Sequence, residues 1–118
     1  MVKSAQLKEL TLISLHQRSL ERDDEQLKNG NGYDHSYVVN HRQAGDLALA
    51  AVATSPKTGI TLEVSTTLPG LQLYTGNYLD GHDGIQPGSK NCRRYAFCLE
   101  AQFFPDSPNQ GHFPSCIL

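Results

Sequence analysis

The 118-residue chain is predicted to be all-β, with antiparallel strands, and three observations lead there. From residue 29 onward, apolar and polar residues alternate with a period of two in five separate runs, as in half-buried strands. The runs are joined by turns or by a Gly-rich loop, and no connection carries the helical periodicity of a parallel crossover. The length is that of one domain or part of one.

Taken in order, residues 1–28 stand apart as an N-terminal extension, helical or irregular. Leu7, Leu10, Ile13 and His16 recur at helical spacing and predict a short amphipathic helix, and Ser19–Lys28 is a polar, charged linker. The main unit, residues 29–118, opens on the turn cluster Asn29-Gly30-Asn31-Gly32, because Gly and Asn tolerate positive φ. Tyr33–Asn40 is the first predicted strand. Asp46–Ser55 is the second, with Leu47, Leu49, Ala51 and Ala53 expected on one face between Gly45 and the Pro56–Gly59 turn. Ile60–Thr67 alternates most clearly: Ile60, Leu62 and Val64 against Thr61, Glu63 and Ser65. Leu71–Asn77 follows the Pro69-Gly70 turn, residues 78–95 form the Gly-rich loop, and Ala96–Phe104 is the last strand.

Composition narrows the function classes. Ten basic and twelve acidic residues give a net charge of −2, and the only adjacent basic pair is Arg93-Arg94, so nucleic-acid binding is not expected. The longest apolar run, Leu47–Ala53, is too short to span a bilayer, so no membrane partner is expected. Lys3, Lys8 and Glu9 interrupt the apolar stretch a secretory leader would need. Three cysteines (Cys92, Cys98 and Cys116) without CxxC spacing predict free thiols in a reducing cytoplasm. His16, His41, His82 and His112 show no ligand spacing, and the oxygen-rich Asp80–Gly84 stretch lacks the alternation and closing Glu of an EF-hand, so no metal site is expected.

The most informative stretch is residues 96–109. Alternation places Phe97, Leu99, Ala101 and Phe103 on one face, and Cys98, Glu100 and Gln102 on the other. Pro105-Asp106-Ser107-Pro108 then ends the strand in a rigid turn, where Asp106 reads as a cap rather than a second catalytic carboxylate. By periodicity alone Glu100 is a solvent-facing carboxylate on an amphipathic strand. Asp34, after Gly32, reads as an Asx-turn or strand-cap residue, and Gln72 as an ordinary strand Gln facing away from Leu71 and Leu73. Tyr74 shares the Gln72 face as a stacking wall or a packing residue.

Three blocks in this chain resemble, in order, signatures of the aldose 1-epimerases, also called galactose mutarotases. Gly32-Tyr33-Asp34-His35 is similar to that family's Gly-x-Asp-His block. Thr66–Asn77 is similar to its Thr-Thr-x-Pro-Gly-x-Gln-x-Tyr-Thr-Gly-Asn block, and Phe97–Gln110 to its Phe-Cys-Leu-Glu-x-Gln strand and following Phe-Pro-Asp turn. The resemblance implies an incomplete portion of a large galactose-mutarotase-like β-sandwich, the C-terminal part of a longer family domain. It also implies interconversion of the α and β anomers of an aldohexose through its open-chain aldehyde. Such a reaction needs a base at the C1 hydroxyl and an acid at the ring oxygen, and no cofactor.

On this resemblance Glu100 is the general base, while Asp34 and Gln72 bind sugar hydroxyls; His35, facing the opposite side from Asp34, is structural. The family's general acid is a His in an Asn-His-x-Tyr-Phe-Asn motif, which does not occur in the 118 residues. The expectation is therefore a fragment weakly active or inactive alone, with a complementary N-terminal half on another chain as a partner. The alternative is a non-catalytic carbohydrate-binding remnant.

Overall fold

A computed structural model describes residues 11–14, 16–19, 32–84 and 87–117. These residues form seven strands in two sheets. The strands are β1 (Thr11–Ser14), β2 (His16–Ser19), β3 (Asp34–Val38), β4 (Ala48–Thr54), β5 (Thr61–Thr66), β6 (Gly70–Tyr74) and β7 (Cys98–Gln102). One sheet has the order β2-β1-β4-β5 and the other β3-β6-β7, and every pairing is antiparallel. The all-β antiparallel class is as expected, and all five predicted strands are present, shorter than expected, with β6 beginning one residue earlier at Gly70. No helix among the described residues is long and apolar enough to cross a membrane.

Two local expectations are corrected. The helix predicted through Ile13 and His16 is instead the β1–β2 hairpin, with Leu12 opposite Ala53 and Ile13 opposite Val52 on β4. Thr11 and Ile13 are β-branched, and the β4 edge offers them a hydrogen-bonding ladder that outweighs a weak helical spacing. Leu7 and Leu10, which carried the rest of that spacing, lie outside the described residues. The second correction concerns β4. Leu49 lies opposite Ser65 but Ala51 lies opposite Val64, so Ala50 is an extra residue, a β-bulge. The bulge breaks the alternation: Leu47 and Leu49 are 72% and 60% exposed, whereas Ala51 and Ala53 are buried.

The core that joins the sheets is small. Val39, Ala51 and Leu71 form its buried centre, with Ala48, Ala50, Val64 and Leu99 packed around them. Leu71 and Leu73 point inward from β6, and Gln72 between them therefore points outward. His41 ties two loops at the edge of this core. Its ring nitrogens lie 2.8 Å from the Asp46 carbonyl oxygen and 3.0 Å from that of Leu68.

A buried polar knot holds the start of β3 against the end of β6. The Thr75 hydroxyl accepts from the Tyr33 N–H (2.8 Å) and donates to Asn77 Oδ1 (2.7 Å). Asn77 Nδ2 and the Thr75 N–H both donate to the Tyr33 carbonyl, at 2.7 and 3.1 Å. Thr75 is fully buried, and Tyr33 and Asn77 nearly so. Gly32 enters the knot at φ +83°, and a Cβ there would stand 2.1 Å from Asn77 Oδ1 and 2.7 Å from Thr75 Oγ1. Of the predicted turn cluster Asn29–Gly32, residues 29–31 lie outside the described residues, but Gly32 has a steric reason to be glycine.

Two substitutions test the knot. Thr75→Val keeps the shape but strands the Tyr33 N–H and Asn77 Oδ1, and should cost about 2–5 kcal/mol in urea unfolding. Gly32→Ala should destabilise by more than Gly45→Ala. Both glycines have positive φ, but a Cβ at Gly45 meets nothing within 4 Å, leaving only the left-handed strain of about 1–2 kcal/mol. Equal losses at the two glycines would mean that the knot does not control the fold.

Candidate functional site

The outward face of the three-stranded sheet is a grid set by strand register. Asp34, Tyr74 and Cys98 form one row; Ser36, Gln72 and Glu100 the next; Val38, Gly70 and Gln102 the third. Residues directly opposite in a ladder share a face, so these nine positions look the same way. Asp34, Gln72 and Glu100 are therefore brought together by the register of β3, β6 and β7. His35, opposite Leu73, is on the other side.

Within the grid, Gln72 Nε2 donates to Asp34 Oδ1 at 2.8 Å. The Asp34 carboxylate thus reaches across the strands, and among the described residues it caps no turn. Gln102 Nε2 in turn approaches Gln72 Oε1 at 3.5 Å. Glu100 is exposed, directly opposite Gln72, and among the described residues no hydrogen bond or ion pair engages its carboxylate. Tyr74 closes one end of the face: its hydroxyl accepts from the Tyr78 N–H (3.2 Å), holding the start of the long loop. His35 Nδ1 lies 3.0 Å from the Asp34 N–H, and its ring meets Tyr33 edge-on at 5.9 Å, a packing role.

Asp106, Asp80 and Asp83 have partners of their own. Asp106 stands at φ +65° ahead of a 3-10 turn over Ser107–Asn109; its two oxygens accept from Asn109 Nδ2 (2.5 Å) and Gln110 Nε2 (2.8 Å). These hydrogen bonds, that from Asn109 foremost, hold its carboxyl below the ordinary carboxylate value. In the loop after β6, Asp80 pairs with His82, whose hydrogen bonds lower the Asp80 carboxyl, and Asp83 pairs with Lys90 at 2.6 Å. Cys92, Cys98 and Cys116 are all free thiols.

The motifs single out Asp34, Gln72 and Glu100, which the β3–β6–β7 register brings onto one face, but not the link from Gln102 to Gln72. Gln102 is visible in the sequence as a neighbour of Glu100, but its contact with Gln72 is set by the β6–β7 register.

An antiparallel sheet presenting a bare carboxylate beside an amide–carboxylate pair, backed by a small apolar core, has the make-up of a polar-ligand site on a β scaffold. By sequence comparison the chain belongs to the aldose 1-epimerase family, whose profile matches residues 2–118. It is 40% identical over 88 residues to galactose mutarotase of Bos taurus and 39% identical to that of Homo sapiens. It is 38% identical over 102 residues to aldose 1-epimerase of Escherichia coli K12. These matches cover 75% of this chain for the mammalian proteins and 81% for the bacterial one. They cover only 25–28% of the relatives, so the chain spans roughly a quarter of their length.

The Asp106 turn generates a pH prediction. A carboxyl lowered in the folded state adds stability above its unfolded value and loses it as pH falls through the folded one. Acid denaturation followed by far-UV circular dichroism should therefore show a smaller loss on acidification in Asp106→Asn than in the parent. An unchanged pH profile would mean that the turn does not depend on that charge.

Proposed function

We propose that this chain contributes the base-bearing face of an aldose 1-epimerase acting on hexoses such as glucose or galactose. In this reading Glu100 removes the proton from the C1 hydroxyl, while Asp34 and Gln72 hold the sugar by its other hydroxyls. The observation that carries the proposal is the position of Glu100 directly across the ladder from Gln72, which is itself bonded to Asp34. Three strands span roughly 10 Å, enough for a pyranose with its hydroxyls to lie across them. Among the described residues the Glu100 carboxylate has no partner, which suits a base because its lone pairs are not already committed there.

Proton transfer from C1 is half of mutarotation. The ring oxygen must be protonated as it leaves, and each group of this kind contributes about 10²–10⁴-fold. The family's acid motif, Asn-His-x-Tyr-Phe-Asn, is not among these 118 residues. We infer that the acid comes from a complementary polypeptide portion, and that the 118 residues alone are weakly active or inactive. Three free thiols support action in a reducing compartment, the cytoplasm. A second reading is carbohydrate binding without turnover, favoured by a formed Asp34–Gln72 pair in a chain that lacks the acid motif.

Polarimetry on freshly dissolved α-D-galactose tests the proposal. The 118-residue chain should speed mutarotation little over the spontaneous rate. Mixing it with the remaining portion of a family member should restore turnover, which Glu100→Gln should then cut by about 10²–10⁴-fold while sugar binding persists. Full activity from the chain alone, or restored activity insensitive to Glu100→Gln, would refute the assignment of Glu100.

A further inference from the structure

We propose that Gln102 is a positioning residue that sets the direction of the Gln72 amide, and through it the hydrogen bonding of Asp34. This inference rests on the sugar-site reading above only for its consequence in binding. Its core is a matter of donor and acceptor polarity.

A carboxylate accepts hydrogen bonds and has no proton to give, so the group 2.8 Å from Asp34 Oδ1 must be the Gln72 NH₂. Gln72 Oε1 then points the other way, toward Gln102. A primary amide facing an oxygen must present its own NH₂, as Gln102 Nε2 does at 3.5 Å, the long limit of a hydrogen bond. The three side chains form a one-way chain of donation, Gln102 to Gln72 to Asp34. Each amide orientation is fixed by the next, and the chain terminates on the only member that cannot donate.

Three local features hold the head of this chain in place. Gln102 is half-buried, unlike Asp34 and Glu100, which are exposed. Its ladder partner is Gly70, which puts no side chain on that face beside Gln102. A Cβ at Gly70 would stand 3.1 Å from both the Gln102 carbonyl oxygen and the Phe104 ring, so that ring lies over Gly70 and walls the same corner. Phe104 is in turn braced edge-on by Phe113, with centroids 5.2 Å apart. The arrangement keeps Gln72 turned to Asp34 and away from Glu100, which lies directly opposite Gln72 and would otherwise compete for the same NH₂.

The test is nitrogen–proton NMR of the full 118-residue chain, read at the Gln72 side-chain amide. Gln102→Met keeps length and removes the donor, and the Gln72 NH₂ pair should lose its hydrogen-bonded position and move toward that of a solvated amide. Gln102→Glu replaces the donor by an acceptor, and should draw the Gln72 NH₂ away from Asp34, displacing the pair differently. In both variants the backbone amides of β6 and β7 should hold their positions, and affinity for galactose should fall about tenfold. A Gln72 pair unmoved in both variants overturns the proposal. The amide signature is read without sugar, so absence of any galactose effect on the parent chain would defeat the sugar-site reading while still leaving the Gln102 role decided.

Discussion

The knot of Thr75, Asn77 and the Tyr33 backbone is the constraint on which the rest of the structure depends. Three hydrogen bonds join residues about forty positions apart, and a fourth, between Thr75 and Asn77, braces them in a buried place. Leaving any of these groups unpaired would cost about 1–3 kcal/mol, a large part of the stability of a domain this small. The knot also sets register. Tyr33 immediately precedes β3 and Thr75 immediately follows β6, so fixing one against the other puts Asp34 opposite Tyr74 and Ser36 opposite Gln72. A shift of one residue would turn Asp34 and Gln72 to opposite faces, because side chains alternate. The Gly32 block and the Thr75-Gly76-Asn77 block are thus the two halves of one hydrogen-bonded device.

Around that device the sheet divides its labour by face. The inward side of β6 is apolar, and Leu71 and Leu73 are almost fully buried. The outward side carries amides and carboxylates whose polarity is ordered from Gln102 through Gln72 to Asp34, with Glu100 uncommitted among the described residues. A rigid ladder beneath such groups limits their motion to side-chain rotation, which suits recognition of a small polyhydroxylated ligand. The edges are less complete. Among the described residues β5 ends its sheet, with Leu62 at 47% exposure and Ile60, just before the strand, at 66%. β3 and β7 are the outer strands of the other sheet. Open ladders and partly covered apolar residues accord with a chain that spans a quarter of its relatives' length.

Much of this architecture is legible in the order of the amino acids. Period-two alternation locates β3 to β7, and the Glu100–Gln102 and Leu71–Leu73 stretches tell which residues share a face, because that follows from strand geometry alone. The motifs also single out Asp34, Gln72 and Glu100. The errors have equally physical sources. Ile13 and His16 fit a helical spacing locally but pair in strands, since an available β4 edge outweighs a weak local preference. Leu47 and Leu49 part from Ala51 and Ala53 because one inserted residue, Ala50, shifts the alternation between them.

What the amino-acid sequence determined by itself is therefore local: which segments extend, where turns interrupt them, which side of each strand is polar, and which family the blocks resemble. What only the tertiary structure decided is registration between strands distant in sequence. That registration sets Glu100 across from Gln72, spends the Asp34 carboxylate on an amide, and brings Gln102 to Gln72. Alternation is a property of a single strand. Register is a property of pairs, and here it depends on a buried knot whose members only meet once the chain has folded.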